Sequence, residues 1–199
     1  MSLLLETIMV FNRQPMNLSW HNQRFISSMR SNFGINPKKD LDALITIPPS
    51  CGMGLVKCRF VYGPEYVTTE FLPYIRRPVA TLKLVHSSTI EYNFKHLDRQ
   101  NLTDLFDRRG SCDDVIIVKN GLVTDSYYAN LVFFDGSDWV TPDTPLLKGT
   151  QRARLLSEKI IREATITADD LSSFEKVGLI NAFNDLTEMP QIAIENIKR

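Results

Sequence analysis

The chain has 199 residues, 43% of them hydrophobic and 23% charged, and Lys+Arg and Asp+Glu both number 23, so the formal net charge is zero. This length allows one good core or two small lobes. The even charge balance leaves no basic footprint for nucleic acid or an anionic membrane, so any anion must be caught by local groups.

In chain order, residues 3–11 read as a strand that turns through Asn12, Arg13, Gln14 and Pro15. A helix follows, with Ser19 as N-cap, Phe25, Ile26 and Met29 at helical spacing, and Gly34 at the position after its end. Residues 36–44 hold a second short helix, closed by Pro48 and Pro49. Residues 55–62 and 66–74 form a hairpin around Gly63 and Pro64, and 73–78 is the best linker. Beyond it, 80–85 reads as a strand and 98–109 as a helix closed by Gly110. Residues 115–119 and 122–123 flank Asn120-Gly121, a strong hairpin signal because that dipeptide suits the turn matching strand twist. A second hairpin joins 130–134 to 139–140 across Asp135-Gly136. A helix runs from Gly149 to about residue 161, and strands at 177–183 and 191–197 finish the chain. Strands dominate and helices interrupt irregularly, which predicts an α+β fold in two lobes, 1–76 and 77–199.

Glu6 and Thr7 break the apolar run begun by Leu3, Leu4 and Leu5, so neither a signal peptide nor a membrane span is read, and a cytoplasmic protein is expected. Cys51, Cys58 and Cys112 lack the spacing of a zinc site, and His21, His86 and His96 form no cluster with them. Free thiols and no metal follow from that. Cys51-Gly52-Met53-Gly54 lacks the lysine and strand-helix setting of a phosphate loop and reads as a turn.

Four segments carry chemistry: His21-Asn22-Gln23-Arg24, Lys95-His96-Leu97-Asp98-Arg99, Asp125-Ser126-Tyr127-Tyr128-Ala129-Asn130, and Gly149-Thr150-Gln151-Arg152. In this order they resemble the signature of the class IV, fold-type IV pyridoxal-phosphate enzymes, closest in pattern to aminodeoxychorismate lyases. That pattern has a K-H-L-N-R run, an acid-x-x-x-(A/S)-N-(L/I)-F segment, then T-P and G-x-x-R. Here the acid is followed by Asn130-Leu131-Val132-Phe133, then Thr141-Pro142, and it stands 30 residues after Lys95. The resemblance covers nearly the whole chain, which is shorter than typical members, mostly in the first lobe. It implies a small N-terminal α/β lobe and a larger strand-rich C-terminal lobe carrying the lysine.

The resemblance makes Lys95 the amine that forms a Schiff base with pyridoxal 5′-phosphate and then moves a proton at the substrate's Cα. Asp125 would hold the proton on the pyridine nitrogen, where relatives usually carry the longer Glu. Arg24 would grip the phosphate in a forked geometry. Thr150 and Gln151, at a helix start, would offer it backbone N–H groups. Asn181 and Ala182 resemble a second phosphate-side segment. Asn130 shapes the backbone around the site, while Arg99 and Tyr128 are further possible site residues.

Three activities remain open on this reading. The first is an aminodeoxychorismate lyase, releasing 4-aminobenzoate and pyruvate for folate synthesis. The second is an aminotransferase acting on branched-chain or D-amino acids. The third is a member that binds the cofactor without turnover. Family resemblance also implies a homodimer acting on a small amino substrate.

Overall fold

A computed structural model describes residues 2–199. The chain divides into two compact units, Met1–Arg76 with Phe94–Asp98, and Arg77–Asn93 with Arg99–Arg199.

In the first unit, β1 (Leu4–Phe11), β2 (Gln14–Pro15), β3 (Leu55–Tyr62) and β4 (Val67–Pro73) form one antiparallel sheet in the order β2-β1-β3-β4. Helices α1 (Leu18–Phe33) and α2 (Leu41–Leu44) accompany it. Alternation sends Leu4, Ile8 and Val10 of β1 and Val56, Cys58, Phe60 and Tyr62 of β3 into one core, where Phe25 and Met29 of α1 and Leu41 of α2 meet them. Glu6 occupies the same inward face of β1 and is fully buried. Gly34 ends α1 in the left-handed region at φ 70°, as its place in the sequence predicts. The helix start differs from expectation. Asn17, left-handed at φ 54°, turns the chain one residue before Leu18, and its carbonyl, rather than Ser19, receives the Trp20 and His21 N–H groups.

The segment carrying Lys95 corrects the lobe assignment, because it belongs to the first unit. Leu5 N–H donates to the Lys95 carbonyl at 2.9 Å and Leu97 N–H to the Leu3 carbonyl at 2.8 Å, so 94–98 is laid along β1.

The second unit contains two sheets. One, ordered β13-β5-β6-β7, joins β5 (Leu82–Ser87), β6 (Asp114–Lys119), β7 (Leu122–Val123) and β13 (Ile197–Lys198). The other, ordered β10-β9-β8-β11-β12, joins β8 (Asn130–Phe134), β9 (Trp139–Pro142), β10 (Arg162–Ala164), β11 (Lys176–Ile180) and β12 (Gln191–Ala193). Helices α3 (Gln100–Phe106) and α4 (Thr150–Ser157) complete it. Leu82, Ile116, Val118, Leu131, Phe133, Val177 and Leu179, drawn from both sheets, share one core. Both hairpins expected in this unit form, and Asn120 and Gly121 take the two positive φ values, 51° and 85°, that the tight turn needs.

Other boundaries shift for local reasons. The helix expected over 98–109 is α3 followed by a 3-10 turn at Asp107–Arg109. Lys159 at φ 57° follows the end of α4 at Ser157, short of residue 161. The strand expected to reach 183 stops at Ile180, because Asn181 folds its side chain onto Phe183 N–H at 2.8 Å. The strand expected over 191–197 is interrupted by a 3-10 turn at Ile194–Asn196.

Cys51, Cys58 and Cys112 are all buried and free. Burial, and next the neighbouring Cys51, push the Cys58 thiol up to about 12. Among the described residues, no helix is long and apolar enough to cross a membrane, and no group of three or more His, Cys, Asp and Glu could hold a metal.

Candidate active site

The first unit holds Arg24 and Lys95. Arg24 lies on α1 and faces Glu6, donating from Nε to Oε1 at 2.8 Å and from Nη2 to Oε2 at 2.6 Å. One turn earlier on the same face, His21 Nδ1 lies 2.7 Å from Glu6 Oε2. A carboxylate can only accept, so Nδ1 carries the proton. Burial holds the His21 pKa down against the pull of Glu6, and the charges of Arg24 and then Lys95 add to the lowering. Burial alone would raise Glu6, but Arg24 and His21 bring it down to about 2. Tyr62, pushed upward chiefly by burial, lies in the field of the same carboxylate. The guanidinium expected to grip a phosphate is therefore forked onto a buried glutamate, and Lys95 stands within electrostatic range of that cluster.

The second unit brings together Asp125, Asn130 and the start of α4. Asp125 Oδ1 accepts from Asn130 Nδ2 at 2.7 Å and Oδ2 from Leu147 N–H at 2.9 Å. Only 5% of the residue is exposed, and burial raises its pKa to about 6 despite those donors and the nearby Arg152 charge. Thr150 and Gln151 are buried in the first turn of α4, whose N-cap is Gly149. The first-turn N–H groups of such a helix point outward with the positive end of its dipole.

Asn181 and Ala182 reach the same end of the five-stranded sheet, since Ile180 pairs with Asn130 in register. They form a tight turn with Asn184, whose Oδ1 is buried without a hydrogen bond. Arg154 of α4 ties the helix to this loop through Asp185 at 2.7 Å.

Arg99 and Tyr128 form a separate group in the second unit. The Arg99 guanidinium lies 4.5 Å from the Tyr127 ring centroid and 4.6 Å from that of Tyr128, and Nη2 donates to the Tyr127 carbonyl. Tyr127 stacks on Phe106 at 4.3 Å, while Tyr128 is half exposed. Asp114, pushed up to about 6 by burial, accepts from Tyr127 N–H at 3.2 Å.

Sequence reasoning passes over three residues that the structure makes prominent. In the sequence Glu6 figures only as the break in an apolar run and His21 only as part of a motif, although a glutamate on the inward face of a buried strand signals that a cation must meet it. Arg152 is the third. Only 4% exposed, it donates to the Pro142 carbonyl and to Glu163 Oε1, both at 2.7 Å, and so pins α4 to β9 and β10.

A match to the family described as Amino-transferase class IV covers residues 70–192. A Haemophilus influenzae protein described only as uncharacterized is 40% identical over 185 residues, which is 92% of this chain and 98% of that protein. The crystal structure of a Haemophilus somnus protein, provisionally assigned as a 4-amino-4-deoxychorismate lyase, is 36% identical with a TM-score of 0.80, covering 93% of this chain and 98% of that one. A hypothetical aminotransferase from Mycobacterium tuberculosis in its PLP-bound form shares the fold, with a TM-score of 0.75 at 16% identity over 96% of this chain and 80% of that one. The chain belongs to the class IV aminotransferase family, a family of pyridoxal-phosphate-dependent enzymes.

Proposed function

We propose that this enzyme binds pyridoxal 5′-phosphate through Lys95 and acts as a lyase of the 4-amino-4-deoxychorismate type, releasing 4-aminobenzoate and pyruvate. The observation that carries the reading is the 36% identity, over 98% of its length, to the Haemophilus somnus protein provisionally assigned that activity. The residues of the second unit fit such a cofactor. Asp125 offers a buried carboxylate to a protonated ring nitrogen, and the start of α4 presents the positive end of its dipole to a phosphate.

When bound, the cofactor supplies an electrophilic aldehyde and an electron-withdrawing ring. Lys95 would hold the cofactor through Nζ and, once released from it, would carry a proton to or from the substrate's Cα. Asp125 would keep the ring nitrogen protonated. Thr150 and Gln151 would hold the phosphate at the start of α4, with Asn181 and Ala182 on the same side. Arg24, held by Glu6, contributes positive charge in the first unit. We further infer that the enzyme works as a cytoplasmic homodimer on a small amino substrate in folate synthesis.

The test is the visible spectrum of the purified protein with added cofactor, before and after Lys95→Ala, together with release of 4-aminobenzoate and pyruvate from aminodeoxychorismate. A visible band that the substitution abolishes supports the Lys95 assignment, and an unchanged spectrum sinks it. The family match itself favours transamination as a second reading. Steady conversion of 2-oxoglutarate with a branched-chain or D-amino donor, without 4-aminobenzoate, would select it.

A further inference from the structure

Asn130 has both ends of its carboxamide committed. Nδ2 donates to Asp125 Oδ1 at 2.7 Å and to the Leu147 carbonyl at 2.8 Å. Oδ1 lies against Gly149, so closely that a Cβ built on that residue falls 2.0 Å from the oxygen. Leu147 answers by donating its own N–H to Asp125 Oδ2 at 2.9 Å. A closed ring of hydrogen bonds therefore joins Asp125, Asn130 and Leu147, and Gly149, in contact with it, leads directly into α4. Asn130 is 7% exposed, so water offers little replacement for these bonds.

We infer that Asn130 is a positioning residue which, with side-chain-free Gly149, locks the Asp125 carboxylate and the N-terminus of α4 into one rigid frame. The inference rests on the cofactor reading above, and it adds that a single amide sets the distance between the groups meeting the ring nitrogen and the phosphate. Two independent features point the same way. The hydrogen bonds fix Asn130 to the carboxylate, and the steric limit at Gly149 fixes it to the helix start. The other groups facing Asp125 are the Leu146 and Leu147 N–H groups and Arg152, so Asn130 is the one uncharged side chain among its donors.

The experiment compares wild type, Asn130→Ala, Gly149→Ala and the double variant. It measures pyridoxal 5′-phosphate titrations followed by the visible band, the ³¹P resonance of the bound phosphate, and thermal unfolding without cofactor. Each single change should weaken cofactor binding about tenfold or more, the loss expected when a hydrogen bond to a charged group is removed. Gly149→Ala should cost nothing further in the Asn130→Ala background, because the oxygen it strikes has gone.

Asn130→Ala should also move the ³¹P resonance and raise the pH at which the visible band changes, since Asp125 loses a donor. A purely structural role would leave both unmoved. Additive losses, or an unshifted resonance and pH midpoint, overturn the inference. Should Gly149→Ala not fold, the ³¹P and pH measurements on Asn130→Ser decide the matter. If wild type takes up no cofactor, the reading under Proposed function fails and the cofactor half of this one falls with it. The unfolding cycle between positions 130 and 149 then still supports or overturns the frame.

Discussion

Arg24 holds Glu6 by both arms of its guanidinium, at 2.8 and 2.6 Å, on a strand face that is otherwise apolar. The glutamate is wholly shielded, while the arginine is 15% exposed. This pairing makes the first unit dependent on the neutralisation of a buried charge.

Replacing Arg24 by Met should destabilise the protein by about 3–5 kcal/mol, because it leaves a buried carboxylate facing only the His21 ring among the groups described above. Changing Glu6 and Arg24 together to apolar residues should recover much of that loss. Chemical denaturation of the single and double variants measures it, and equal destabilisation by both would refute the account.

The same pair sets an acid limit. Glu6 titrates at about 2 in the fold against an ordinary value of 4.5, so its stabilisation is present above pH 4.5 and disappears as pH falls towards 2. The linked change is on the order of 3 kcal/mol. Denaturation midpoints recorded through this window should fall steeply in wild type and much less in Glu6→Gln.

Asp125 has the opposite sign. Its folded value of about 6 exceeds the ordinary 3.8, so its relative stabilisation is complete below pH 3.8 and lost as pH rises through 6. Without cofactor, the melting temperature of wild type should therefore fall as pH rises through 6 more than that of Asp125→Asn, which gives up one accepted hydrogen bond but carries no titrating group there. Parallel pH profiles for the two proteins would contradict the burial argument.

Arg152 anchors α4 to two strands by donating twice from Nη2 and once, at 3.3 Å, from Nε to Thr141 Oγ1, a planar set of donors that lysine cannot reproduce. Arg152→Lys should weaken cofactor binding and lower stability despite retaining the charge, and Arg152→Ala should lower stability further. Calorimetric unfolding of both variants checks the order. Equal stabilities of the Lys variant and wild type would show that charge alone suffices.

The hairpins, the sheet-rich character and the helix ending at Gly34 are legible in the sequence because each depends on neighbours within a few residues. The family pattern is equally legible, as four motifs in order. What escapes is long-range. Nothing near Lys95 announces that its carbonyl will accept from Leu5, so its assignment to the first unit needs the fold. The ends of helices at Asn17 and Ser157 depend on left-handed residues, Asn17 and Lys159, whose conformations local patterns do not reveal. The grip of Glu6 on Arg24 spans 18 positions, and only the even spacing of Leu4, Glu6, Ile8 and Val10 hints at it.

The three sequestered cysteines make the molecule its own reporter of opening. Cys51 and Cys58 lie in the first unit and Cys112 in the second, so a thiol reagent should react only as each region unfolds. Mass-resolved labelling would then show whether the two halves come apart together or in turn, with no foreign probe added.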